Sequence, residues 1–494
     1  MVIVFIILFT QWLGPQRLTD EPGRSETTWP SNAHCITCNG KGMVYVVYTR
    51  DAWTDTSEIY IKMSTDYGTT WLPEQRITDA INERTYPSVA LDTLNRVHVV
   101  WMDMRDGVGW QVYCKRSTDG GLTWGNDIRI SLDDDYSQSP SVATDGANEV
   151  YVVWFDSVDF WDHDIYFRKS NDGGVNWGSE IRISTGQSVE DYPTIAYEPL
   201  DKIHIAWPDY RNDVQYDIYY RRSTDRGNTW GPQTNLTPDT FGQVECSIAA
   251  SSSHLHLAWC DARNSQPLEP DVEVYYKNST NSGSSWNADT RLTNTDIEPH
   301  WPNIAADAFG GAHIVYQGGT EIYYLSSVDN GAMWSDTVNI SNDSAVSMHP
   351  FVATDSFVHV VWSDDRDGNF EIYYNRTTQP LVGARENAGQ WLKVENAGLM
   401  ISPNPARSVV RIAYGVERNT EGIGRMAQGI ELKILDVSGR LVKSFNQLTR
   451  YHLLNNQFTW AGTDEIGKKV AAGIYFVQLR AGDLKQTEKV ILLR

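Results

Sequence analysis

Four stretches of the chain place an arginine two positions after an aspartate that itself follows a tryptophan: "WMDMRDG" (Trp101–Gly107), "WPDYRND" (Trp207–Asp213), "WCDARN" (Trp259–Asn264) and "WSDDRDG" (Trp362–Gly368). They supply the carboxylates of Asp103, Asp209, Asp261 and Asp364 and the guanidinium groups of Arg105, Arg211, Arg263 and Arg366. Carboxylates accept hydroxyl protons, arginine forks grip anionic groups in bidentate fashion, and aromatic rings stack on sugar faces, so a wheel of such loops suits a glycan. The rival expectation is that each Asp pairs with the Arg two residues on and only locks its own unit. Because the pair recurs and catalysis needs one site, the lock is the expected role for most copies.

Departures from the repeat therefore carry more information. "WFDSVDFWDHDIYF" (Trp154–Phe167) keeps Asp156, loses the arginine, and gains Asp159, Trp161, Asp162 and His163. "VYQGGTEIYY" (Val315–Tyr324) loses both charges, and "NSQPLEPD" (Asn264–Asp271) lengthens its loop. Neighbouring connections add Glu26, Glu83, Asp135, Glu190, Asp191, Glu245, Glu298 and His300. A glycoside hydrolase would need two carboxylates, or a tyrosine and a carboxylate, straddling one bond. A binding module has no such requirement.

The elements that position these loops repeat. The pattern S-x-D-x-G-x-x-W starts at Ser64, Ser117, Ser170, Ser223 and Ser327, and a copy at Ser279 carries Asn281 in place of Asp. Its acids and tryptophans are Asp66 and Trp71, Asp119 and Trp124, Asp172 and Trp177, Asp225 and Trp230, Asn281 and Trp286, Asp329 and Trp334. The period of about 50 residues is that of a propeller blade. Within each period come runs such as "YPSVA", "VHVVWMD", "WQVYCKRS" and "IRIS", four short β-branched or aromatic strands bounded by Gly, Asp, Asn and Pro. First strands begin near Pro30, Pro87, Pro140, Pro193, Cys246, Pro302 and Pro350. The outer strand follows at Arg76, Arg129, Arg182, Asn235, Arg291 and Asn339 but is missing after the last unit. "QRLT" (Gln16–Thr19) stands at the front of the chain to replace it. The expectation is an all-β protein: a seven-bladed propeller of four-stranded blades over 14–380, closed by its N-terminal strand.

In each turn motif the Ser and Asp are expected to bond turn amides, Gly121 and its counterparts to take positive φ, and the Trp to cover a sheet edge. The motif then serves as a structural staple. Loops joining the second and third strands must lie on the opposite face, where Asp103 and its counterparts form the ligand surface.

The remaining features bound the function. A net charge of -22 opposes nucleic acid and anionic lipid as partners. "MVIVFIILF" is too short to span a bilayer and fits a secretory hydrophobic segment within 1–13. Five cysteines, at 35, 38, 114, 246 and 260, make no disulfide framework, although Cys246 and Cys260 fall in consecutive strands and could pair. "CITC" lacks the further ligands of a zinc site, and "SLDDDYS" (Ser131–Ser137) lacks the spaced ligands of a calcium loop. No metal or cofactor is expected, and the chain is read as a monomer.

The turn motifs resemble the Asp-box, or bacterial neuraminidase repeat, of the sialidase-like propellers. That resemblance implies a propeller and a choice among exo-sialidases, other glycoside hydrolases and non-enzymatic receptors. Sialidases place three arginines round the substrate carboxylate, a Tyr–Glu nucleophile pair and an Asp acid/base, with an F/Y-R-I-P sequence before the first box. Here "RLTDEPGRSETTWP" (Arg17–Pro30) stands in that place without the motif, and known exo-sialidases generally have six blades.

After a linker over 381–399, residues 400–494 change character. "SPNPA" (Ser402–Ala406), "DVSGR" (Asp436–Arg440), "GIYF" (Gly473–Phe476) and a basic end stand among alternating strands, which predicts a small Ig-like β-sandwich of about seven strands. The tail closely resembles the sorting domain of proteins exported by the type IX secretion system. This implies passage across the outer membrane of a Gram-negative-type bacterium and a partner in that machinery. The combined expectation is a secreted or surface propeller that recognises glycans or surface polymers on the face opposite the turn motifs, with an exo-sialidase-like hydrolase and a non-catalytic protein-binding propeller as alternatives.

Overall fold

The computed structural model describes residues 12–381 apart from 21–22, 29–32, 53, 55, 79–81, 108, 133–135, 160–161, 187, 212–214, 239–241, 252–253 and 265–271. Towards the end it describes 399–402, 410–414, 430–444, 457–460, 462–464, 468–481 and 484–492. The apolar start, Pro30, Asp135, Trp161 and most of the linker lie outside the described residues. Two compact units divide at Gly389 and Gln390.

The described strands of the first unit make seven antiparallel sheets, the propeller-type arrangement expected. Sheet one contains Ile36–Cys38, Val44–Arg50, Glu58–Ser64 and Gln75–Arg76, with Ser25–Glu26 added beside its second strand. Sheet two runs from Arg84–Leu91 through Val97–Asp103 and Gln111–Ser117 to Ile128–Arg129. Sheets three to six repeat this meander, starting at Tyr136, Thr194, Gln243 and Pro299. Sheet seven has Ser347–Thr354, Val358–Asp364 and Glu371–Arg376, and Gln16–Arg17 takes the outer place by pairing with Tyr373 and Tyr374.

A repeated side-chain latch shows why that N-terminal strand fits. In sheet one Arg76 donates to Glu58 (2.6 Å), Thr78 also donates to Glu58, and the Ile77 amide bonds the Ile59 carbonyl. In sheet five Arg291 donates to Glu273 (2.7 Å) with Thr293 beside it. Sheet seven has the same latch, but its Arg17 and Thr19 come from the front of the chain to meet Glu371 (Arg17–Glu371 2.8 Å), and Leu18 bonds Ile372 (2.8 Å).

The innermost strands bond to one another in sequence order. The Val89 amide reaches the His34 carbonyl (2.8 Å), and the Val352 amide reaches Asn303 Oδ1 (3.0 Å). Thr27 joins the last sheet to the first, donating its hydroxyl to the His349 carbonyl (2.8 Å).

The turn motifs hold the outer hairpins as their residue types demand. Gly121 N–H and Asp119 N–H donate to Ser117 Oγ, while Thr123 donates its amide (2.9 Å) and hydroxyl to Asp119. Gly121 has φ +89°, and a Cβ there would lie 2.5 Å from Met63 Sδ of the preceding sheet. The tryptophans do more than cover a sheet edge: several pack edge-on against an aromatic ring of the preceding sheet. Trp71 meets Tyr374, Trp230 meets Phe167, Trp286 meets Tyr220 and Trp334 meets Tyr276, with ring centroids 4.7–5.2 Å apart. Hydrogen bonds from Thr123 and from the Asn176 amide hold the Asp119 and Asp172 carboxyls at about 2, below their ordinary 3.8. Since the folded values are the lower ones, this stabilisation is present above about pH 4 and is lost as pH falls toward 2. Thermal melts from pH 5 to pH 2 should show a falling midpoint, with a shallower fall in the D119N/D172N variant.

All five cysteines are free thiols. The proposed Cys246–Cys260 pairing is not made, because the register sets Cys260 opposite Val244 and the strand bulges before Ser247.

In the second unit, Leu399–Ser402, Val410–Tyr414 and Gln457–Trp460 form one antiparallel sheet. Ile430–Asp436, Leu441–Ser444, Gly473–Ala481 and Leu484–Leu492 form another. Trp460 of the first sheet packs edge-on against Tyr475 of the second (5.1 Å).

Candidate functional site

The four Asp–Arg pairs are locks. Asp103 is fully buried and accepts from Trp101 Nε1 (2.9 Å), Arg84 Nε (2.9 Å) and Arg105 (2.5 Å). Arg105 continues to Asp127 (2.6 Å) and lies over the Tyr113 ring (4.3 Å). Asp261 holds Trp259 and Arg263, and Arg263 reaches Asp289 (2.9 Å) and covers Tyr275. Asp364 holds Trp362 and Arg366, which covers Tyr373. Asp209 and Arg211 do the same over Tyr219, and Arg211 also meets Glu190 (3.0 Å). Each arginine thus spends its charge inside its own sheet. Glu190 is fully buried, and burial, followed by the nearby Asp209 and Asp164, raises its carboxyl. In the sheet that lacks an arginine, Asp156 accepts from Trp154 Nε1 (2.7 Å).

Five chemically diverse side chains, with Ser139, stand at one repeated position on the face opposite the turn motifs. Tyr86, Ser139, Tyr192, Glu245, Trp301 and His349 sit at or beside the start of the first strand in sheets two to seven. All have left-handed backbones, with φ between 48° and 57°. In five of the six the register shifts around that residue, a bulge that re-aims the side chain. A left-handed backbone costs a bulky non-glycine residue of the order of 1–3 kcal/mol, and such strain clusters at ligand sites.

These side chains meet around the inner strands. Burial raises the Tyr86 phenol, and Tyr192, two sheets away, then Glu26 and Glu83 add to the effect. Burial likewise raises Tyr192 to about 12, with Asp191 and Glu245 contributing. Glu245 accepts from the Trp301 amide (2.8 Å) and lies 3.7 Å from His300, which it holds above its ordinary value. Trp301 packs edge-on against His349 (4.6 Å). Burial drops His349 to about 3, so its ring is neutral, and its buried Nδ1 has no hydrogen-bond partner. One layer down, His34 reaches the Ile195 carbonyl of sheet four (3.2 Å), across the ring of inner strands.

The irregular third sheet contributes as well. His163 Nδ1 lies 2.6 Å from Asp191 Oδ1, and Tyr216 donates to the other oxygen of Asp191 (3.2 Å). Phe155 stacks on His163 and meets Tyr192 edge-on. Asp162 is half-buried beside His163, with one oxygen unpartnered. Glu83 is half-buried, and Glu298 is 46% exposed, 3.8 Å from His300.

Residue-by-residue reading of the sequence found His163, Asp191, Glu245 and His300 but missed Tyr86, Tyr192, Trp301, His349 and Tyr216. A signal existed: the position ahead of the strand-opening proline reads Tyr, Ser, Tyr, Trp and His in "YPSVA", "SPSVA", "YPTIA", "WPNIA" and "HPFVA", while its surroundings stay constant.

A second set of histidines mimics catalytic relays. His204 joins Tyr220 (2.7 Å) and Glu198 (3.1 Å); His313 joins Tyr324 (2.8 Å) and Asp307 (3.1 Å); His359 joins Tyr374 (2.6 Å) and Asp355 (2.9 Å). These histidines are almost wholly buried on the turn-motif side, so no substrate reaches them. Cys38 approaches the last relay, giving, among the described residues, one group with metal-ligand types: Cys38, Asp355 and His359. The same relay forms elsewhere without a thiol, so hydrogen bonding accounts for it.

Residues 400–493 match the family model of the secretion system C-terminal sorting domain. The tail marks this protein for type IX export. No curated protein matches the chain. Among solved structures, an ulvan lyase of polysaccharide lyase family PL25 is similar in fold, with TM-score 0.53 at 11% identity over 77% of this chain and 100% of that one. The Hadza microbial sialidase Hz136 has TM-score 0.42 at 12% identity over 67% and 75%. An α-L-arabinofuranosidase of Fusarium graminearum has 0.46 at 14% over 59% and 92%. At 11% identity the likeness to the ulvan lyase is one of fold. No helix among the described residues is long and apolar enough to cross a membrane.

Proposed function

We propose that this protein is a secreted seven-bladed propeller that binds an extracellular glycan in the central funnel on the face opposite the turn motifs. Its Ig-like tail directs export and is removed when the propeller is released or attached at the cell surface. The supporting observation is the ring of left-handed residues: an otherwise uniform repeat carries strained, chemically varied side chains at one place, and they converge. Trp301, Tyr86 and Tyr192 offer rings for sugar faces, and Glu245 and Asp191 offer acceptors for hydroxyls.

Turnover is a second reading, favoured by Tyr192 standing close to both Asp191 and Glu245. Binding is the primary reading, because the rings and acceptors at the left-handed positions serve it whether or not a phenol is activated. The test is a panel of glycans with the full chain and W301A. Binding without sugar release, weakened by about tenfold or more in W301A, is the expected outcome. Release of sugar, abolished by Y192F, would establish the enzyme. Unchanged binding in W301A would remove the funnel from consideration.

A further inference from the structure

The histidine of the irregular third sheet differs from the three scaffold relays in the nitrogen it leaves open. In His204, His313 and His359 the ring gives Nδ1 to a tyrosine hydroxyl and Nε2 to a carboxylate, and the side chains are at most 2% exposed. Both nitrogens are spent. His163 is turned the other way: its Nδ1 meets Asp191 Oδ1 (2.6 Å), its side chain is 16% exposed, and its Nε2 has no hydrogen-bond partner among the described residues.

The fold carries this ring out to the ligand face. In sheets two, four, five and seven the ladder between the second and third strands ends, among the described residues, at the locking acids Asp103, Asp209, Asp261 and Asp364. In sheet three it runs past the equivalent Asp156 through two more rungs, Ser157 with His163 and Asp159 with Asp162. His163 therefore stands beyond the lock, on the side away from the turn motifs. Its amide bonds the Ser188 carbonyl (3.0 Å) in the connection to sheet four, which ties the hairpin to its neighbour.

The same neighbours decide where the ring proton sits. A carboxylate only accepts hydrogen bonds, so Nδ1 carries the proton against Asp191, and the neutral ring keeps a bare lone pair on Nε2. Asp191 is itself fixed: Tyr216 donates to its Oδ2 (3.2 Å), and its amide bonds the Pro208 carbonyl (3.1 Å). Phe155 stacks on the imidazole (5.3 Å) and meets Tyr192, the left-handed residue that follows Asp191, edge-on (5.7 Å). An acceptor already held in one orientation beside aromatic faces gives up little further freedom when a donor arrives.

Resting on the glycan reading above, we infer that His163 is the funnel's specificity residue for a sugar hydroxyl, which donates to its Nε2, and that Asp191 is the positioning residue that keeps the lone pair on that nitrogen.

Two measurements on the full chain test this. Heteronuclear NMR of the imidazole nitrogens, assigned by comparison with H163Q, should report the Nδ1–H tautomer in the free protein and a shift at Nε2 when a hexaose binds. For affinity, cellohexaose, xylohexaose, mannohexaose and arabinohexaose are titrated in turn, with W301A alongside. For the tightest of them H163F should lose about tenfold, D191L nearly as much, and H163F/D191L no more than H163F alone, since Asp191 acts through the ring. H163Q, whose side chain offers a carbonyl oxygen at the reach of Nε2, should stay within about threefold of the parent. An Nε2–H tautomer, or H163F binding as tightly as the parent while W301A is weakened, would overturn the assignment and leave the glycan reading standing. Additive losses in H163F/D191L would overturn the positioning role of Asp191. If no hexaose binds, the glycan reading and this assignment fall together.

Discussion

Deleting Gln16 to Thr19 is expected to destabilise the propeller by about 3–6 kcal/mol and to broaden its unfolding transition. Two terms add. Leu18 is buried, and its loss removes about 1.5–3 kcal/mol of apolar burial. Glu371 is also buried, and without Arg17 and Thr19 it loses two charge-assisted hydrogen bonds as its carboxylate opens to water, about 1.5–3 kcal/mol. The last sheet would also present a bare edge, so aggregation should follow. A narrower variant separates the terms. R17M should unfold at lower denaturant concentration than the parent, and R17M/E371Q should recover part of the loss because no unpaired charge stays buried. Chemical denaturation of the three variants decides the matter; a deletion protein as stable as the parent would show that the ring does not depend on its front strand.

The second large effect concerns export. A chain lacking 400–494, expressed in a host with a type IX system, should accumulate within the cell envelope and be nearly absent from the medium and the outer surface. The reason is a division of labour between units. The tail matches the sorting-domain model over residues 400–493, whereas the propeller forms its strands and latches within residues 12–377, and among the described residues none of its strands comes from the tail. The truncated propeller should therefore fold, and its melting midpoint measured on purified protein should match that of the propeller in the full chain. Fractionation followed by immunoblotting checks the location. Truncated protein reaching the medium in normal amounts would contradict the sorting role.

How much of this was legible beforehand differs between elements. The outer strands, the turn motifs and the borrowed N-terminal strand could be read because their signals are local. Ser117, Asp119, Gly121 and Trp124 stand within one hairpin, and a missing "RIT" strand after Pro380 can be matched to "QRLT" by letters alone. The partners of the tryptophans could not, since Trp230 packs edge-on against Phe167 of a different sheet.

The site divides along the same line. From the sequence alone, Asp103 with Arg105, and its counterparts in three further units, could be recognised as pairs, together with the irregular loop that holds His163. Whether those arginines face a ligand or a buried acid depends on burial, which exists only once the sheets pack. The tertiary structure also decided which residue types meet. Tyr86, Ser139, Tyr192, Glu245, Trp301 and His349 follow one another about 50 residues apart in the chain, and closing the ring brings one position of each repeat to a common centre. Repetition writes the scaffold into the sequence many times over, but the centre of the ring is made of single residues that only closure brings together.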